Sequence, residues 1–409
     1  MENVKSFIAH HVLLKEKHVR ERYINTKDGW IESITEKPVF PNNIVDLGEN
    51  RMIFPGCVNT HSHAFQSLLR GFTNDCTLEK FLEIVYSAAE SYTRKDIYKG
   101  ARLAFKEMLL NGITTVCEFH YLNGLGNENA EQVIKAALDL GIRMNFSRCI
   151  IDNPKLSDIV KEDLNVALKR HDNLRMKYMD NPLVNVSIAA HSVYYSSDEV
   201  IMKVKETAEK HRTRWFMHFS DSQGTRDYAT KRFGISEAKY LEKKGMLDKN
   251  LVAIHAIWAN DEDIRILGKN GVSVSHNPMS NQFLGERVAL VPEMIKNGVL
   301  VGLGTDGAAS NPSLSIFQEM KHMLLLQKSR LSDPAGMVAE QGFKIATENG
   351  GLISGFKTGK LAAGYLADFI ACDINHPTLQ PLEKAFSHFV YSISSKAIME
   401  VYVNGVQVI

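Results

Sequence analysis

From Met52 onward the chain alternates between short apolar runs and longer amphipathic segments, and it does so eight times. The runs are 52–58, 113–119, 143–151, 184–190, 214–219, 251–257, 271–275 and 300–304. Between them, Asp96 to Leu110 sets Ile97, Ala101, Ala104 and Met108 at helical spacing, with Gly112 as a stop. The segments 129–140, 200–211 and 261–269 read the same way. Parallel strands each need a crossover, and eight such units close into a barrel of ~250 residues. The alternation therefore predicts an α/β fold, a (β/α)8 TIM barrel over 51–351. No G-x-G-x-x-G follows the first run, which speaks against a doubly wound dinucleotide-binding sheet.

The flanks have another character. Short β-rich segments are expected at 8–14, 18–25 and 30–35, separated by Lys15-Glu16-Lys17 and by a hairpin turn at Asp28-Gly29. Beyond the barrel, 364–372 reads as one strand and 398–408 as a hairpin turning at Asn404-Gly405. Segments 1–50 and 352–409 are expected to pair into one small composite β-sandwich beside the barrel.

The ends of the predicted barrel strands carry His61 and His63, then His120, His191, His218, His255, His276 and Asp306. In a barrel these ends meet at one face, where active sites form. A single such histidine is more often a core residue, but packing does not explain so many at equivalent positions. In Pro55-Gly56-Cys57-Val58-Asn59-Thr60-His61-Ser62-His63 the two histidines stand at i and i+2. On extended backbone they share a face and can converge on one metal ion through neutral imidazole nitrogens.

Composition narrows the rest. The net charge of +1 provides no field for nucleic acid or an anionic membrane. The five cysteines form no C-x-x-C pair, against both a disulfide framework and a thiolate zinc site. Met1-Glu2-Asn3-Val4-Lys5 opens no apolar leader, and no run of ~18 apolar residues occurs. A cytoplasmic protein without a membrane segment is expected. Its oligomeric state, including a homo-oligomer, is open.

With these residues in place the chain resembles the metal-dependent amidohydrolase superfamily. It is closest to the branch of 5′-methylthioadenosine/S-adenosylhomocysteine deaminases and triazine hydrolases. The resemblance spans nearly the whole length. It rests on PGCVNTHSHAFQSLLRGFTNDCTLEKFL (55–82), HFSD (218–221), AIHAIW around His255, SHNPMSN (275–281), LGTDGAASN (303–311) and GKLAAGYLADFIACD (359–373).

The resemblance implies one divalent metal, Zn2+ ahead of Fe2+, held by His61, His63, His218 and Asp306. Such a metal activates water as a nucleophile. Dinuclear members carry a modified lysine on the fourth strand, where this chain has none, so one metal is expected. The implied catalytic residues are Asp221, His255 and Asp306, with His255 hydrogen-bonding the nucleophile. His191 resembles a histidine that touches the heterocycle, and His276 either does the same or orients Asn277 and its loop. Glu90 resembles a glutamate that binds ribose hydroxyls, with an exposed helix carboxylate as the alternative. Arg148 either meets a substrate anion or serves as a structural ion-pair partner.

Three departures stand out. Asp221 occupies the place of the family's proton-shuttling glutamate, Phe81 that of a frequent tryptophan, and His120 that of a common tyrosine. The implied activity is hydrolytic deamination of an amino-substituted nitrogen heterocycle, a small molecule such as methylthioadenosine, S-adenosylhomocysteine or adenosine. The rivals are a triazine, pterin, guanine or formimino-type hydrolase on the same scaffold, and a catalytically silent relative.

Overall fold

The computed structural model describes residues 2–15 and 17–409. Among them, eight parallel strands follow one another around a nearly closed barrel. They are β1 (Cys57–Ser62), β2 (Ile113–His120), β3 (Arg143–Ile150), β4 (Val184–Ala190), β5 (Trp215–Phe219), β6 (Leu251–His255), β7 (Ser273–His276) and β8 (Leu300–Leu303). Every residue of β1, β2 and β3 is buried. One face fills the barrel and the other lies under helices, so even polar residues of these strands such as Asn59, Glu118 and Asn145 are buried.

The barrel closes where β1 meets the segment after β8. Thr305 N–H donates to Asn59 Oδ1 at 3.0 Å, Asn59 Nδ2 donates to Thr305 Oγ1 at 2.8 Å, and Asp306 N–H donates to the His61 carbonyl at 3.1 Å. Helix ends follow local chemistry. Thr93 and Asp96 form a capping box ahead of Arg94–Leu110, and Asn260 and Asp263 form one ahead of Asp261–Lys269. Gly141, at φ 73°, ends Glu128–Leu140.

Both chain ends enter one mixed sheet. Its order is Val406–Gln407, Ile398–Val403, Phe369–Asp373, Arg51–Pro55, Val4–Leu14, Lys17–Lys27 and Trp30–Thr35, and Ile44–Asp46 also pairs with Val4–Leu14. Asp28 and Gly29, at φ 48° and 83°, make the two-residue turn that the sequence predicts between Lys27 and Trp30. In the expected Lys15-Glu16-Lys17 turn, Glu16 lies outside the described residues. The run 52–58 holds two strands, not one. Arg51–Pro55 pairs with Phe369–Asp373 in the mixed sheet, and β1 begins only at Cys57. A uniform apolar run hides that boundary. Gly56 marks it, because a Cβ there would lie 2.1 Å from Thr114 Oγ1.

A buried ion pair ties sheet to barrel. Arg143 at the start of β3 donates to Asp368 through Nε at 2.8 Å and Nη2 at 3.0 Å. Among the described residues no helix is long and apolar enough to cross a membrane.

Candidate active site

The C-terminal ends of the strands bring ligand-type side chains together in two overlapping groups, His61 with His63 and Asp306, and His61 with His218 and His255. His63 Nε2 lies 3.3 Å from His218 Nε2. Asp306 Oδ1 lies 3.5 Å from His61 Nε2 and 3.6 Å from His63 Nε2. Zinc bonds of about 2.0–2.2 Å to nitrogen and oxygen place tetrahedral neighbours about 3.3–3.6 Å apart. The spacing thus suits one small divalent ion.

The surrounding hydrogen bonds aim these atoms inward. His63 Nδ1 lies 2.8 Å from the Phe119 carbonyl and His218 Nδ1 3.3 Å from the His191 carbonyl. Protons on those nitrogens donate outward and leave each Nε2 lone pair facing the centre. Both ring nitrogens of His61 are buried without a hydrogen-bond partner. Such an orphan is costly unless something else satisfies it, and an ion at the cluster would satisfy the inward Nε2. Asp306 Oδ2 accepts from Ser280 Oγ at 2.6 Å and Ser310 Oγ at 3.0 Å, and Oδ1 accepts from Gly307 N–H at 2.8 Å.

Electrostatics agree with metal ligation. Burial pushes His61 down to about 3 and holds His63 and His218 below the usual histidine range, so the imidazoles stay neutral. Burial alone would raise Asp306. Contact with His61 and the field of His61, His63 and His255 instead hold its carboxyl well below the usual range.

His255 joins the cluster at 4.0 Å from Asp306 Oδ2 through its Nε2. Its Nδ1 lies 2.7 Å from Asn281 Oδ1 and 3.1 Å from Asn277 Nδ2, and the shorter contact, to an acceptor, favours a proton on Nδ1. A proton there donates to Asn281 and leaves Nε2 as the inward acceptor. Asp221 is half-buried and lines the same cavity. Its Oδ1 accepts from Thr225 Oγ1 at 2.7 Å. On an extended strand an i+3 side chain points away from i, so the chain must turn between His218 and Asp221. Ser220 makes the turn at φ 42°. His255 at φ 70° and Asp306 at φ 60° are likewise in the left-handed region. Non-glycine residues held there store strain, and such residues cluster at functional sites.

The other expected site residues fare differently. His191 and Phe81 line the cavity, and the His191 ring stacks on His218 with centroids 4.8 Å apart. Arg148 is fully buried and spent on Glu162 in two hydrogen bonds of 2.8 Å, which corrects the substrate-anion expectation in favour of the ion pair. Glu90 is exposed and lines a separate depression with Tyr92 and Arg94, so the helical phase carries it away from the cavity. His276 is buried with both ring nitrogens unpartnered and is absent from the cavity lining. His120 is also buried and turned from the cavity, packed against Phe146, and Tyr121 lines the cavity in its place.

Sequence reasoning missed several members of the site. Ser280 and Asn281 sit within the quoted SHNPMSN, and Ser310 within LGTDGAASN, so their signal was their motif. Gln66, whose Nε2 donates to the Tyr121 hydroxyl at 3.2 Å, likewise sits within the quoted stretch 55–82, whereas Glu286 at the cavity wall had no such signal.

The chain is similar to known proteins over its full length. A 5′-deoxyadenosine deaminase of Methanosphaera stadtmanae is 31% identical over 410 residues, 99% of this chain and 93% of that protein. A 5-methylthioadenosine/S-adenosylhomocysteine deaminase of Syntrophobacter fumaroxidans is 32% identical over 357 residues, 87% of this chain and 79% of that protein. The fold matches an adenosine deaminase of Xanthomonas campestris solved with bound zinc, at TM-score 0.89 and 24% identity, covering 98% of this chain and 92% of that one. The model of the amidohydrolase family matches residues 52–408, and the chain belongs to that family.

Proposed function

We propose that this protein is a metal-dependent hydrolytic deaminase of an amino-substituted nitrogen heterocycle, in particular a purine nucleoside derivative. The observation that carries the reading is the cluster of inward nitrogens and one carboxylate oxygen at 3.3–3.6 Å, with Asp221 in the same cavity. The names of the similar deaminases support it.

His61, His63, His218 and Asp306 would hold one divalent ion, zinc ahead of iron. When bound, it supplies Lewis acidity and a water nucleophile at neutral pH. The chain's own residues do the rest. The Asp221 carboxylate takes a proton from the attacking water and delivers it to the ring nitrogen. His255 Nε2 accepts a hydrogen bond from that water and orients it toward the amine-bearing ring carbon. As the carbon–nitrogen bond breaks, the second water proton passes through Asp221 to the leaving amine, which departs as ammonia. His191 and Phe81 provide ring surfaces against which the heterocycle can lie.

The test is a panel of adenosine, 5′-deoxyadenosine, guanine, a pterin and an aminotriazine with ammonia as the readout, alongside elemental analysis. Ammonia from the nucleosides and about one metal per chain are expected. A metal-free, inactive protein would overturn the reading, and two metals with a modified lysine would overturn the single-ion site.

A further inference from the structure

We infer that Glu286 is a specificity-determining residue of this cavity and accepts a hydrogen bond from a neutral hydroxyl on the substituent of the heterocycle. The inference rests on the deaminase reading above and names a group its substrate must carry.

Glu286 is half-buried and lines the cavity with Asp221 and His255. Its backbone N–H donates to the Asn281 carbonyl at 2.8 Å, and Asn281 is the residue that orients His255. Its carboxylate is fixed as well: Trp258 Nε1–H donates to Oε2 at 2.6 Å. Trp258 is itself held, its backbone N–H donating to the Ser220 carbonyl at 3.0 Å. Glu286 is thus anchored to the ends of both β5 and β6. Among the described residues no other side chain hydrogen-bonds its carboxylate. A carboxylate has about four acceptor positions, so most of its capacity is left for a ligand.

Neighbouring charge selects the class of donor. The Arg287 guanidinium lies 4.6 Å from the Trp258 ring centroid and that of Arg226 lies 5.3 Å away. Arg287 is committed to the carbonyls of Ile257 and Ala259, at 2.7 and 3.0 Å. Both guanidiniums thus lie against the indole that donates to Glu286, and positive charge on that side disfavours a cationic ligand group relative to a neutral hydroxyl. Leu78, Phe81 and Leu82 line the same cavity and offer the ring an apolar wall.

The experiment compares the wild-type metalloenzyme with Glu286→Gln on adenosine, 2′-deoxyadenosine, 3′-deoxyadenosine and adenine. Glutamine keeps the shape and can still accept from Trp258, but it loses the charge. The expected result is a fall of roughly 10-fold or more in kcat/KM for adenosine, carried by KM, with adenine changed by less than ~2-fold and metal content intact. The deoxy analogue that costs the wild type most should cost the variant little more. Equal losses on adenosine and adenine, or unchanged adenosine kinetics, would overturn the role of Glu286 while leaving the deaminase reading standing. A wild type inactive on every nucleoside would overturn the role of Glu286 together with the nucleoside part of that reading.

Discussion

At the scale of single residues, the roles divide by where each polar atom finds its partner. Among the described residues Asp221 has only hydroxyl partners, Thr225 Oγ1 at 2.7 Å and Ser222 Oγ at 3.4 Å, both on Oδ1, and keeps Oδ2 free for a proton. Asp221→Asn should therefore retain metal and lose at least ~100-fold in turnover, checked by steady-state kinetics and elemental analysis. Near-normal turnover would assign proton transfer elsewhere. The gathering of His61, His63, His218, His255 and Asp306 was legible because residue type and strand-end position are both visible in sequence, while the choice of ligands among such residues rested on the family resemblance. Arg148 was ambiguous because its partner, Glu162, is a matter of packing. His120 and Tyr121 show how fine the limit is. The Phe119 ring packs on His61 and His218, so the next side chain points to the opposite face. No residue type announces that phase.

Among the elements, the turns after the strands do the positioning. Ser220 sits at φ 42°, and Glu237 pins it there, with Oε2 accepting from Ser220 N–H at 2.8 Å and Ser220 Oγ at 3.0 Å. Burial raises the Glu237 carboxyl to about 8. Glu237→Leu leaves the Ser220 N–H buried without an acceptor, which costs about 1–3 kcal/mol. The released turn should move Asp221 and lower kcat by roughly 10-fold, with metal content preserved because His218 is held separately by the His191 carbonyl. Urea unfolding and kcat measured together check this, and unchanged kcat in a destabilised variant would refute the positioning role. Helices over 94–110 and 261–269 were readable from their spacing and, for the first, from Gly112 as a stop, whereas their capping boxes at Thr93 and Asn260 were not. The division of 52–58 was not, since the residues on either side of Gly56 within that run are buried and apolar.

Across the whole molecule, the mixed sheet and the barrel meet at Arg143 and Asp368. Both side chains are fully buried, and Asp368 also accepts from Thr358 Oγ1 at 2.8 Å and Asn404 N–H at 2.7 Å. Asp368→Ala leaves a buried guanidinium unpaired and should cost about 3–5 kcal/mol, read as a shift of the denaturant midpoint at constant m-value. Replacing both partners by apolar residues should recover much of that loss. A cost below about 1 kcal/mol, the level of an exposed pair, would show that the pair does not staple the two units. The period of the apolar runs, the residue types at their ends and the β-rich flanks were enough to determine the barrel, the added sheet and the histidine-rich strand ends, because each is a local property of the chain. The tertiary structure alone decided that Glu286 faces the cavity while Glu90 does not, that Tyr121 and not His120 lines it, and that Arg148 is spent within the fold. Those outcomes depend on the rotation of each strand and helix about its axis and on partners distant in sequence, and side-chain packing, not local pattern, sets both.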